Sequence, residues 1–362
     1  MQQKKKTLSL VITHNCNLKC KYCYVREKSQ KAMSFDVACQ SIRAAFEDAV
    51  GKFDFVEINF IGGEPLCEFP MLRRLTDWVR TENYTVPHIL YATTNGTLLD
   101  GEMKAWFTAH KHEFALGLSY DGQFGAQNAN RSNSLSMVDL DFFLTTWPEQ
   151  SLKMTIDEET VPCLAQNIID LHRRGATVAV NCACGMPEWR EESWSEYSKQ
   201  LDLLVDFYLE NVQYRPVNLI GDFNLIALTR PMPEKKRFCQ AGTNAYRAVD
   251  VDGREYPCHL FSSLAIDSKE EIPCIETLIA RSKNECADCP LEAQCMTCYG
   301  MNFKLFGDVL CRESNLCAAT MAQFSACCRW HAARLSRMPR GNYSPDDIAI
   351  AQALLKIKDW NF

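Results

Sequence analysis

Short runs of β-branched and aromatic residues alternate with amphipathic stretches through the first 220 residues of the chain. The runs at 7–13 (TLSLVIT), 55–61 (FVEINFI), 88–94 (HILYATT), 114–120 (FALGLSY), 151–156 (SLKMTI) and 177–181 (TVAVN) predict strands. Between them, 34–50, 101–110 and 161–175 carry apolar residues at helical spacing. Strand and helix in alternation predict an α/β fold with a parallel sheet, and six such units predict a partial (β/α)6 barrel of the TIM type. In folds of this kind reactive groups gather beyond the carboxyl ends of the strands. A cysteine run follows the first strand, Gly-Gly-Glu-Pro the second, Asn-Gly-Thr the third and Asp-Gly the fourth. All four are therefore expected on one rim.

Beyond residue 225 the texture changes. RPMPEKKRF (230–238) reads as a linker, and the next 80 or so residues are rich in cysteine with little helical periodicity. The expected organisation is a barrel over 1–229, a metal-dependent unit over 230–330 and a helical tail over 331–362. The tail holds SPDDIAIAQALLKIKDW, a Ser-Pro helix start followed by apolar spacing.

Composition narrows the function classes. The chain has 362 residues, 47% of them hydrophobic and 23% charged, which suits a globular protein of one large or two medium domains. A net charge of -6 gives no field that would gather nucleic acid, so no nucleic-acid partner is expected. No apolar stretch approaches the roughly 18 residues needed to cross a bilayer, and LSLVI near the start is too short for a signal-peptide core. The expected location is the cytoplasm, away from membranes. Thiols stay reduced there, so the 19 cysteines read as metal ligands rather than a disulfide framework.

Cys16, Cys20 and Cys23 form C-x3-C-x2-C. Spacers this short require the segment to curl and aim its thiols at one point. Iron-sulfur cubes are normally held by four thiolates, so three leave one iron open to a small molecule. The competing reading is a zinc knuckle with a fourth ligand from elsewhere, His14 being nearest.

With Tyr22 as the aromatic in C-x3-C-x-aromatic-C, the segment resembles the hallmark of the radical S-adenosylmethionine (SAM) enzymes. The resemblance is carried further by Gly62-Gly63-Glu64-Pro65, Thr94-Asn95-Gly96 and Ser119-Tyr120-Asp121-Gly122, in that order after successive strands. It implies a [4Fe-4S] cluster whose open iron chelates SAM, and cleavage of SAM to a 5'-deoxyadenosyl radical that takes hydrogen from an unactivated carbon. It also implies that Gly62 and Gly63 let backbone approach the methionyl ammonium, that Glu64 adds negative charge nearby, and that Ser119 and Arg131 hold the SAM carboxylate. Tyr22 and Asn95 belong to the same implied SAM site.

A second cysteine territory runs from Cys239 through Gly253-x4-Cys258 to Cys286-x2-Cys289-x5-Cys295-x2-Cys298 and Cys317. It resembles the SPASM extension of radical SAM enzymes, which implies two auxiliary [4Fe-4S] clusters and three clusters in all. The last short spacer is x2 where the usual pattern has x3. By the interleaved connectivity of the family, Cys239, Cys258 and Cys298 would hold the nearer auxiliary cluster, and Cys286, Cys289, Cys295 and Cys317 the farther one. With no further cysteine between 239 and 258, the nearer cluster is expected to keep an open iron for a substrate thiolate. A zinc ribbon is the competing reading of the CxxC pairs. Cys311 stands close enough to Cys317 to substitute for it, although packing is the simpler account.

The resemblance implies a peptide or protein substrate made by the ribosome. Sulfatase maturases carry an Asp after the second auxiliary cysteine as a base, whereas this chain has His259, which is also able to accept a proton. CMTCYGMNFKLFGD (295–308) looks like bacterial peptide maturases acting on small cysteine-rich precursors. The expected function is therefore a peptide maturase forming a thioether or carbon-carbon crosslink in a cysteine-containing precursor. A flavodoxin or ferredoxin is the expected electron donor. Only fifteen residues precede Cys16, so leader recognition is expected from another surface or a separate leader-binding protein. The alternatives are a sulfatase-type maturase forming formylglycine and, from another class, a non-catalytic electron-transfer or zinc-binding module.

Overall fold

The computed structural model describes residues 3–362 apart from 186–188, 230–238, 268–271, 296, 340, 359 and 361–362, and apart from the side chain of residue 315. The expected linker at 230–238 lies outside the described residues. Eight strands are present among the described residues: β1 (Lys5–Thr13), β2 (Phe55–Gly62), β3 (His88–Thr94), β4 (Phe114–Leu118), β5 (Leu152–Ile156), β6 (Val178–Cys182), β7 (Tyr246–Val249) and β8 (Glu255–Tyr256). The helices of the first part are α1 (Phe35–Ala49), α2 (Phe69–Glu82), α3 (Gly101–Ala109), α4 (Ala126–Asn130), α5 (Leu140–Thr146), α6 (Leu164–Arg173) and α7 (Glu191–Glu210). They are followed by α8 (Asn218–Gly221), α9 (Leu225–Leu228), α10 (Ile275–Arg281), α11 (Tyr299–Phe306), α12 (Ser314–Arg337) and α13 (Pro345–Ile357).

The strands β4-β3-β2-β1-β7 are parallel neighbours in one sheet, and β8 adds antiparallel to β7. β5 and β6 form a parallel pair. A bridge between Ser119 and Lys153, with the Tyr120 amide donating to the Lys153 carbonyl at 2.9 Å, carries the arc from β4 to β5. The result is an open partial barrel in six βα steps, to whose first strand the cysteine-rich segment contributes β7 as an additional neighbour.

The alternation of each strand sorts its side chains between two faces. Leu8, Leu10 and Ile12, then Val56, Ile58 and Phe60, then Leu90 and Ala92, are buried in the core shared with the helices. Met154, Ile156, Val178 and Val180 continue that layer on the last two strands. The opposite face carries Asn59, Tyr91, Thr93, Ser119, Lys153 and Thr155, which are only partly buried. A TIM barrel interior is normally filled with bulky branched residues. Here it is a polar trough.

Local chemistry sets several element ends. Ser34 caps α1 by accepting from the Val37 amide, and Asp100 caps α3 by accepting from the Met103 amide. Ser344 and Asp347 form a reciprocal capping box at α13, with Pro345 in its first turn.

The longest helix, α12, breaks the expectation of little helical periodicity after residue 239. It packs against α7 and α8, and it continues across position 331, so the cysteine-rich segment and the tail share one helix. Its buried positions include Ala319, Thr320, Gln323, Ala326 and Cys327. A face built from small and polar residues gives only a weak amphipathic signal.

Candidate cofactor and substrate site

The loop after β1 carries Cys16, Cys20 and Cys23 as partly buried free thiols. It is pinned at both ends of its curl. The Lys19 amide donates to Ser132 Oγ at 2.8 Å, the Lys21 amide to the Asn130 carbonyl at 3.0 Å, and the Lys28 ammonium to the Leu18 carbonyl. Burial pushes the Cys16 and Cys20 thiols up, while Lys28 at the first and Arg131 at the second oppose that rise. Cations beside partly desolvated thiols favour thiolate.

The Gly62-Gly63 step meets this loop backbone to backbone. The Gly63 amide donates to the Thr13 carbonyl at 2.9 Å and the Glu64 amide to the Asn15 carbonyl at 2.8 Å. A Cβ on Gly62, whose φ is 151°, would sit 2.1 Å from Thr13 O, and one on Gly63 would sit 2.2 Å from Asn15 O. The first demand these two glycines answer is thus packing between loops, ahead of the room for a ligand that the motif suggested.

Glu64 is 1% exposed. Its oxygens accept from the Leu66 amide at 3.0 Å, Thr94 Oγ1 at 2.7 Å and the Asn95 amide at 2.7 Å. Burial raises its carboxyl above the ordinary range, with those hydrogen bonds pulling the other way. Glu64 therefore stitches the second rim loop to the third, and its negative charge reaches the rim from a buried position. Asn95 in turn donates to Asn17 Oδ1 at 2.9 Å, tying the third loop to the cysteine loop.

Asp121 is the hub of the fourth loop. It accepts from the Tyr22 hydroxyl, from Arg131 Nε at 3.0 Å and from the Thr155 amide at 2.9 Å. Arg131 is 7% exposed and its guanidinium lies 5.2 Å over the Tyr22 ring. Ser119 stands at the bridge to Lys153, on the open face of the sheet. The structure brings Cys16, Cys20, Cys23, Tyr22, Gly62, Gly63, Glu64, Asn95 and Arg131 into one hydrogen-bonded rim, with Ser119 at the end of β4 beside it.

The auxiliary cysteines fall into two neighbourhoods. Burial pushes the Cys258 thiol up to about 12, and the neighbouring Cys298 and Cys239 thiols push it the same way. Cys286, Cys289, Cys295 and Cys317 line a cavity of about 510 Å³ together with Cys298, Cys182 and Cys184. Cys317 reaches it from the first turn of α12, whereas Cys311 is not among its lining residues. Among the described residues no three Cys, His, Asp or Glu side chains converge tightly enough to hold a single ion. The lining of one cavity by Cys286, Cys289, Cys295 and Cys317 suits a cube in which each thiolate takes a different iron. His14, the possible fourth zinc ligand, instead places Nε2 2.8 Å from Asp250 Oδ1.

His259 follows Cys258 and faces the trough. Its Nδ1 lies 3.3 Å from the Tyr246 hydroxyl, which shares a 2.7 Å hydrogen bond with Ser9 Oγ, and its ring packs against Tyr24. Burial, with Lys153 adding to it, pushes its pKa down to about 4, so the imidazole is neutral at physiological pH. Asp250, Tyr246 and Lys153 were not singled out from the chain, and Asp121 stood there only as part of the Ser-Tyr-Asp-Gly motif. Asp121 had a local signal in the Asp-Gly turn and Lys153 in the alternation of its strand, whereas Asp250 and Tyr246 had none.

The described helices include none long and apolar enough to cross a membrane. The 4Fe-4S single cluster domain family matches residues 7–138. An uncharacterized protein of Methanocaldococcus jannaschii is 33% identical over 118 residues, 32% of this chain and 39% of that protein. A cysteine-type anaerobic sulfatase-maturating enzyme of Clostridium perfringens is 33% identical over 138 residues, 35% of this chain and 36% of that enzyme. The chain thus spans well under half the length of the curated relatives it matches. Among solved structures, native anSMEcpe with bound AdoMet and Cp18Cys peptide superimposes with a TM-score of 0.67 at 18% identity, covering 92% of this chain and 100% of that one. Streptococcus suis SuiB bound to precursor peptide SuiA gives 0.54 at 14% identity, over 87% and 76%. These comparisons give a match to the 4Fe-4S single cluster domain family over the first part of the chain, local similarity to sulfatase-maturating enzymes, and a fold shared with anSMEcpe and SuiB.

Proposed function

We propose that the chain is a radical SAM peptide maturase that abstracts hydrogen from a ribosomally made precursor and closes a thioether or carbon-carbon crosslink. The observation that carries this reading is the single rim that joins the three-thiol loop, the Gly-Gly-Glu turn, Asn95 and Arg131 above a polar trough. Cys16, Cys20 and Cys23 would hold a [4Fe-4S] cluster, and a bound SAM would supply the 5'-deoxyadenosyl radical that takes the hydrogen. Ser119 and Arg131 would orient the SAM carboxylate, Arg131 being held for that task by Asp121 and Tyr22. Buried Glu64 keeps the loops in register, and the backbone around Gly62 and Gly63 would take up the ammonium group of SAM.

Cys239, Cys258 and Cys298 would hold the nearer auxiliary cluster, and Cys286, Cys289, Cys295 and Cys317 the farther one. These clusters would bind the substrate or carry away the second electron. His259, neutral and beside Cys258, would accept a substrate proton. A flavodoxin or ferredoxin would deliver electrons.

The curated relatives that are sulfatase-maturating enzymes favour a second reading, oxidation of a single Cys or Ser to formylglycine. Incubation with candidate precursor peptides and SAM, followed by mass spectrometry, separates the two. A crosslink loses two hydrogens with both residues retained. Formylglycine formation converts one residue and leaves its neighbours unlinked.

A further inference from the structure

Lys153 is a cation on the open face of the sheet, a face on which Lys5 and Glu57 pair with each other. It sits on β5, between Leu152 and Met154, which are buried on the helix side, so its side chain enters the trough. Its ammonium donates to Thr93 Oγ1 at 2.6 Å and lies 4.9 Å over the Tyr91 ring. Among the described residues no carboxylate lies within ion-pair distance of it, whereas Arg131, the cation of the neighbouring rim, is paired with Asp121 at 3.0 Å. Tyr91 is itself fixed, because its hydroxyl occupies the space a Cβ on Gly117 would need.

An ammonium has three donors, and one neutral hydroxyl satisfies one of them. Holding such a group partly desolvated without a counter-charge is costly. A locking contact between β3 and β5 does not require a charge, since a neutral donor would bridge to Thr93 as well. The location also separates Lys153 from the SAM-directed cation of the rim. Arg131 stands with Cys20, Tyr22 and Asp121, whereas the charge of Lys153 bears on His259, next to Cys258 on the auxiliary side.

We propose that Lys153 is the carboxylate-binding residue of the trough, so that the substrate presents an Asp or Glu side chain close to the residue that reacts. The inference rests on the reading of the protein as a peptide maturase and adds a charge requirement to its substrate class.

The test is a binding selection with the full chain, reconstituted anaerobically and loaded with SAM. The probe is a synthetic peptide library with one fixed cysteine and randomised flanking positions. The wild-type protein should enrich Asp and Glu about tenfold at one flanking position. Lys153→Arg should keep that preference, Lys153→Met should abolish it, and Lys153→Glu should turn it toward Lys and Arg at the same position. Iron content and circular dichroism of each variant verify folding, and the wild-type and arginine arms carry the test if either other variant fails to fold. Absence of any acidic preference in the wild type overturns the proposal, as does its survival in Lys153→Met. A tenfold loss of SAM affinity in Lys153→Met with the peptide preference intact also overturns it, because the bound carboxylate is then that of SAM. The selection reads binding alone, so a failure of crosslinking chemistry leaves its outcome interpretable.

Discussion

His14 Nε2 and Asp250 Oδ1 lie 2.8 Å apart, joining the root of the first cysteine loop to the residue that follows β7. Both side chains are buried, His14 at 3% and Asp250 at 0% exposure. Asp250 also accepts from the Val251 amide and from the amide and hydroxyl of Ser263. Burial alone would raise its carboxyl, but the bonds from His14, Ser263 and Val251 bring it below the ordinary range. The cysteine-rich segment is in this way built into the support of the first cysteine loop.

Removing Asp250 leaves those donors buried without an acceptor. Asp250→Ala should cost about 3 kcal/mol, and iron held by the first loop should fall with it. Denaturant titration and iron analysis of the variant check both. Asp250→Asn, which keeps one acceptor oxygen, should lose less.

The two rim glycines should tolerate no side chain. Gly62→Ala and Gly63→Ala each force a methyl into a carbonyl of the cysteine loop, at a cost on the order of 2 kcal/mol or more. The expected result is lowered thermal stability and incomplete reconstitution of the first cluster, with the second thiol territory unaffected. A visible absorption spectrum, read beside the melting temperature, follows each effect.

Much of this arrangement was legible in the chain because each rim motif directly follows a strand with plain alternation. β3 falls where HILYATT predicts it, and β1, β2, β4, β5 and β6 differ from expectation only at their ends. What escaped has two physical causes. His14 and Asp250 are 236 positions apart, and a pair brought together by tertiary packing leaves no periodic trace. α12 hides its amphipathicity because most of its buried positions are Ala, Thr, Gln and Cys, with Phe324 and Leu335 as the large apolar residues among those described. Asp121 was visible as a turn residue, but a turn motif does not reveal that one carboxylate collects Tyr22, Arg131 and Thr155.

Cys317 and Cys311 should part company under substitution. Cys317 lines the cavity shared by Cys286, Cys289 and Cys295, and Cys311 does not. Cys317→Ala should therefore lose about four irons per chain, while Cys311→Ala should keep the full complement. Parallel iron and sulfide determinations on the two variants decide the point.

The carboxyl-terminal helix should loosen in acid. Asp347 accepts from Ser344 Oγ at 2.7 Å and from Arg334 at 2.7 Å, and these bonds hold its pKa down to about 2. An unfolded aspartate titrates near 3.9, roughly. Because the folded value is depressed, the stabilisation is complete above about pH 4 and is lost as pH falls through about 2. Hydrogen exchange over 345–357 should accelerate across that window, and Asp347→Asn should show the faster exchange already at neutral pH.

The most direct test of the account is anaerobic reconstitution of the whole chain with iron and sulfide, followed by dithionite and SAM. The account predicts about twelve irons per chain and formation of 5'-deoxyadenosine, with about four irons and all of that product lost when Cys16, Cys20 and Cys23 become alanine. Zinc in place of iron and sulfide, or intact clusters that yield no 5'-deoxyadenosine, would contradict it.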